Sequence, residues 1–122
     1  MTTFGVLPEQ LEIQIYAGDS FRARLDRRNQ AGNTIDTTGT LLAEIKAPGD
    51  PSVLTTFTIE DDDAANGTIY ISLTPAQTRL LGNDVLAPYF TYDIQVTYSS
   101  GNVETFLSGI ISVIHDVTGS FS

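Results

Sequence analysis

The sequence predicts an all-β protein, a two-sheet sandwich of about seven antiparallel strands with one short helix. Three observations predict it. Apolar and polar residues alternate in stretch after stretch, as in Leu11-Glu-Ile-Gln-Ile15 and Phe90-Thr-Tyr-Asp-Ile-Gln-Val96, the period-two mark of a half-buried strand. Turn chemistry interrupts these stretches about every ten residues, the rhythm of a sandwich. Only one segment carries both the start and the stop signals of a helix.

Residues 1–10 read as an N-terminal arm, 11–118 as the sandwich and 119–122 as a C-terminal tail. The arm has no period, yet Phe4, Val6 and Leu7 are apolar enough to order against a neighbouring subunit. The first strand is Leu11 to Ile15, and Ala17-Gly-Asp-Ser20 turns the chain. Ser20 to Arg28 alternates again, with Phe21, Ala23 and Leu25 facing one way and Arg22, Arg24 and Asp26 the other. Arg27 and Arg28 fall where this strand gives out into Asn29-Gln-Ala-Gly-Asn33, a tight-turn composition.

Leu41, Ala43 and Ile45 mark a third strand, stopped by Pro48-Gly-Asp-Pro51 because proline cannot donate to a ladder. Val53, Thr55, Phe57 and Ile59 define a fourth. Glu60-Asp-Asp-Asp-Ala-Ala-Asn-Gly67 reads as a solvated loop, and Ile69, Ile71 and Leu73 give a fifth strand its inward face. The helix spans about residues 75–81. Thr74 caps it, Pro75 suits its first position, and Gln77 completes a capping box. Gly82 suits a left-handed exit. Phe90, Tyr92, Ile94 and Val96 then begin the longest hairpin, which turns through Ser99-Ser-Gly-Asn102 and returns from Val103 to Ile114. The return strand changes phase near Ser108-Gly109, and a glycine there marks a bulge.

Composition excludes several chemistries. The 122 residues contain no Cys, so disulfides, thiolate metal sites and a Cys nucleophile are absent. One His, His115, rules out a multi-His metal centre. Beside Asp116 on a strand it would point to the opposite face, which rules out a dyad. Fifteen acids oppose six basic residues, for a net charge of −9, a surface that phosphate backbones repel; nucleic acid is not an expected partner. No apolar run reaches the roughly 18 residues of a membrane span, and Met1-Thr-Thr-Phe lacks the basic start of a signal peptide.

Candidate sites are correspondingly few. Glu60 to Asp63 offers oxygen ligands but not the D-x-[DN]-x-[DN]-G spacing of a calcium loop. Asp93 is the one acid on a strand in an interesting place, and spacing marks no second carboxylate for it. No catalytic residue, metal or cofactor is assigned. Tyr16 and Tyr70 are out of phase with their apolar neighbours, so they face outward as candidate contact residues. Arg27 and Arg28 are candidate rim charges for a partner.

The ordered motifs resemble a family. Ala17-Gly-Asp-Ser-Phe21, Ile35-Asp-Thr-Thr-Gly39, Gly67-Thr-Ile-Tyr-Ile-Ser-Leu-Thr-Pro-Ala-Gln-Thr78, Tyr92-Asp-Ile-Gln-Val96, Gly101 to Val113 and Asp116-Val-Thr118 follow one another. Together they resemble the immunoglobulin-like N-terminal domain of the phage baseplate upper protein and its relatives among tailed-phage structural proteins. The resemblance covers about residues 11–118. It implies an immunoglobulin-like fold and a non-enzymatic virion protein of the tail, baseplate or fibre-attachment region. Its partners would be other virion proteins and copies of itself, with no membrane. Two other readings stand beside it: a capsid decoration (cement) protein, and a module that binds a host surface glycan through exposed tyrosines.

Overall fold

The computed structural model describes residues 9–29, 31–84 and 87–114. Its strands are β1 (Glu9–Gln10), β2 (Ile13–Tyr16), β3 (Phe21–Asp26), β4 (Thr40–Lys46), β5 (Val53–Thr56), β6 (Thr58–Asp63), β7 (Thr68–Leu73), β8 (Phe90–Thr97) and β9 (Val103–Ile114), with helix α1 at Pro75–Arg79. The larger sheet runs β1–β9–β8–β4–β5, with β2 continuing β1 along β9, and the smaller runs β3–β7–β6. This is an all-β two-sheet sandwich. Within it, β4–β8–β9 on one layer and β3–β7–β6 on the other reproduce the C-F-G and B-E-D order of immunoglobulin-like domains.

The inward phase of each strand builds one core. Ile13, Ile15, Ala43, Ile45, Ile69, Ile71, Leu73, Phe90, Tyr92, Ile94, Val96 and Ile111 are all buried in it. Phe57 lies between the layers, its ring edge-on to Tyr92 at 5.9 Å and tilted against Phe21 at 6.1 Å.

Five details depart from the sequence reading. The fourth strand is two strands: it breaks at the buried Phe57, so β5 pairs with β4 in one sheet and β6 with β7 in the other. The Phe57 N–H still donates to the Ala43 carbonyl at 3.0 Å as the chain changes layer. Second, the acidic run is no loop. Glu60 to Asp63 belongs to β6, because pairing with the apolar β7 overrides the poor strand propensity of acids. An edge row of carboxylates also discourages pairing with another chain.

Third, the arm does not extend to residue 10. Glu9 and Gln10 pair with Leu107 and Ser108, and β2 follows at Ile111 to Ile114, both parallel to β9. Fourth, α1 ends at Arg79 and passes into a wider π turn over Leu80–Asp84. Gly82 is not a left-handed exit; a Cβ there would meet the Ala17 Cβ at 2.5 Å and the Val113 Cγ1 at 2.9 Å, so the turn needs glycine for close packing. Fifth, the β9 bulge sits at Phe106, skipped between the pairs Ile94–Leu107 and Gln95–Thr105. Gly109 serves another end: a Cβ there would lie 2.2 Å from the Leu11 carbonyl oxygen, where the chain crosses from β1 to β2.

Candidate functional site

Arg27, placed by the sequence at a partner rim, is committed inside the chain. Its backbone is held on both sides, the N–H donating to the Gly67 carbonyl at 2.9 Å and the carbonyl accepting from the Ile35 N–H at 3.1 Å. Gly67 sits at φ +81°, and a Cβ there would stand 2.7 Å from the Arg27 carbonyl, so only glycine lets these chains meet. The side chain, 14% exposed, turns toward the larger sheet. It pairs with Glu104 at 3.1 Å, donates to the Thr37 hydroxyl at 3.3 Å and the Tyr98 hydroxyl at 3.4 Å, and lies 4.4 Å from the Phe106 ring centre. Tyr98 donates in turn to Glu104 at 2.8 Å, and burial holds its phenol above the ordinary range. The cluster ties the end of β3 to the β8–β9 hairpin. It is a clamp between layers.

The other predicted contact residues are dispersed. Arg28 is exposed and donates to the Gly32 carbonyl at 3.2 Å. Tyr16 ends β2 and is 54% exposed. Tyr70, on the outer face of the smaller sheet, lies beneath Arg22, whose guanidinium is 3.8 Å from the ring centre and 3.2 Å from Glu60. Phe4, Val6, Leu7, His115 and Asp116 lie outside the described residues. Asp93 gains a carboxylate neighbour that spacing did not reveal, since Glu44 stands directly opposite on β4. Lys46, 4.0 Å from Glu44, offsets that like-charge pair. Among the described residues no group of three acids or His could hold a metal ion.

What the residues do assemble is the outer face of the larger sheet. Strand register lays Val53, Lys46, Thr91 and Ile110 in one row across four strands. Val53 is 44% and Ile110 39% exposed, on the side opposite the core. The next row is Thr56, Glu44, Asp93 and Ser108, and beyond it Leu42 faces out beside Gln95 and Thr105. Sequence phase alone could not align them, because two bulges, in the β4–β5 pair and at Phe106, set which residues share a face.

No protein-family model and no curated protein matches the chain. Solved structures do. Two crystal structures of the SrpA adhesin from Streptococcus sanguinis match at 18% identity, with TM-scores of 0.49 and 0.50, over 90% of this chain and 57% and 56% of theirs. A chain from the crystal structure of ICOS in complex with ICOS-L and an anti ICOS-L VNAR domain matches at 9% identity and TM-score 0.42, over 88% of this chain and 55% of its own. This chain thus spans little more than half the length of the solved chains it matches. At such identities the common property is the fold, a β-sandwich.

Proposed function

We propose that the chain is a non-enzymatic structural module of a tailed-phage virion, a component of the tail, baseplate or fibre-attachment region. It mounts on other virion proteins and on copies of itself through the outer face of the larger sheet and the segment preceding β1. The observation that carries this reading is the outward row holding Val53 and Ile110, apolar side chains on a rigid sheet whose other face is core. The resemblance of the ordered motifs to those of tailed-phage structural proteins supports the virion context. Each contact is small, and closure by symmetry makes many small contacts add to a stable mount.

The test is incorporation into particles. Val53→Asp with Ile110→Asp leaves the melting temperature within a few degrees of the parent and removes the protein from purified virions. Deleting residues 1–8 does the same. Normal incorporation of both variants overturns the reading, and antibody labelling of intact particles separates a tail position from a capsid one.

A further inference from the structure

A groove lies at the far end of the larger sheet from the row of Val53 and Ile110. It opens where the chain enters β4 and leaves β8, and its volume is about 640 Å³, within the range of about 300–1,000 Å³ typical of small-ligand sites. The entering chain contributes Asp36, Thr38 and Thr40, the leaving chain Thr97, Tyr98 and Ser99. Gly39 makes the junction: a Cβ there would stand 2.4 Å from the Thr97 carbonyl oxygen and 2.8 Å from the Val96 Cγ2. The entering chain therefore packs directly on β8 at this point, where only glycine fits.

The lining is uniform in chemistry. Four aliphatic hydroxyls and one carboxylate surround the opening, with no cationic side chain. Asp36 accepts from the Thr38 N–H at 2.9 Å, and hydrogen bonds from the Thr38 hydroxyl and backbone hold its carboxyl below the usual range. Among the described residues no cation pairs with it, whereas Arg22, Arg24, Arg27 and Lys46 each have a carboxylate of their own. Its unused lone pairs stay available to hydroxyl donors. The Tyr98 side chain is turned away, its hydroxyl to Glu104 and Arg27 and its ring against the core, so hydroxyls and the Asp36 carboxylate are the side-chain groups the groove offers.

We infer that this groove binds a neutral sugar. Sugar hydroxyls donate to Asp36 and exchange hydrogen bonds with Thr38, Thr40, Thr97 and Ser99. Acidic sugars and phosphate are excluded by Asp36, by the absence of a lining cation and by a net charge of −9. The groove and the row of Val53 and Ile110 do not compete. Thr91 and Thr97 are six residues apart on β8, about 20 Å at about 3.4 Å per residue.

Amide NMR spectra of the full chain, titrated separately with glucose, galactose, N-acetylglucosamine and rhamnose, test the inference. N-acetylneuraminic acid and inorganic phosphate serve as anionic controls. At least one neutral sugar shifts resonances confined to residues 36–40 and 97–99, with millimolar affinity. That binding weakens tenfold or more in Asp36→Asn and in Thr97→Val, whose spectra otherwise match the parent. No shift with any of the four up to ~100 mM, about a hundredfold above a millimolar Kd, overturns the proposal. So do shifts elsewhere, equal binding of the anions, or full affinity in Asp36→Asn. Virion incorporation is read separately, so either idea can fail alone.

Discussion

The side-chain amide of Gln77 donates to the backbone carbonyl of Thr56 at 2.7 Å, closing the free edge of β5 from the first turn of α1. The geometry follows from the ladder. Because the Phe57 N–H bonds to the Ala43 carbonyl, Thr56 and Glu44 form a non-hydrogen-bonded pair, and the peptide groups of Thr56 point away from β4. The same amide nitrogen donates to the Thr55 hydroxyl at 2.8 Å, while Gln77 Oε1 accepts from the Thr74 N–H at 2.9 Å. One residue thus caps a helix and occupies an edge acceptor that would otherwise invite another strand.

These two roles separate by substitution. Gln77→Glu keeps an acceptor for the Thr74 N–H but has no donor for Thr56, so it frees the edge while retaining most of the cap. Gln77→Ala loses both and is destabilised by about 1–2 kcal/mol. Urea unfolding should order stability as parent, then Glu, then Ala. Sedimentation at high concentration should show self-association in both variants and less of it in the parent.

Arg27 and Arg22 make a second contrast. Arg27→Ala strips a shielded cation from Glu104 and leaves the Thr37 and Tyr98 hydroxyls without their donor, a loss of about 2–3 kcal/mol. Arg22→Ala breaks an ion pair that is more than half exposed at both partners and costs less than about 1 kcal/mol. Added salt should erase the small effect and leave the large one. Equal losses for the two variants, by denaturant midpoint, would show that the clamp contributes no more than a surface pair.

Gly109→Ala tests the crossing of the N-terminal strand. A methyl 2.2 Å from the Leu11 carbonyl oxygen cannot be accommodated without moving that chain, which also carries the acceptor for the Tyr92 hydroxyl. The expected loss exceeds about 2 kcal/mol. Hydrogen exchange should rise at residues 13–16, whose pairing with β9 depends on the crossing, and stay low in β7. Protection unchanged in β2 would mean that the crossing tolerates a side chain.

Local pattern revealed the inward faces. The alternation of Phe90, Tyr92, Ile94 and Val96 read correctly, because burial of one face fixes strand phase. Gln77 was legible as a cap because Thr74 lies three residues away, but its bond to Thr56 depends on β5 arriving beside α1. Arg27 looked like a rim charge because it follows a strand; its pairing with Glu104 and Tyr98 depends on the β8–β9 hairpin arriving beside it. The acids of β6 read as loop because their propensity is local while their pairing with β7 is not. Glu44 and Asp93, Val53 and Ile110, and the groove between Asp36 and Thr97 arise only from register, which a single sequence does not print.

Tyr92 should make the fold sensitive to alkali. Burial raises its phenol from 10.0 to about 12, and the hydroxyl donates to the Leu11 carbonyl, a bond that the phenolate cannot make. The folded chain therefore holds this proton more tightly than the unfolded chain. Its contribution is fully present below about pH 10 and is lost as the pH rises through about 12, a change on the order of 3 kcal/mol. Tyr92→Phe removes that dependence; it is less stable than the parent at neutral pH by about 1 kcal/mol for the lost hydrogen bond and loses less stability between pH 10 and 12. Denaturant melts at stepped pH, with phenolate absorbance recorded on the folded protein, measure both. Parallel stability curves for Tyr92→Phe and the parent across this window would show that the Tyr92 proton is not linked to folding.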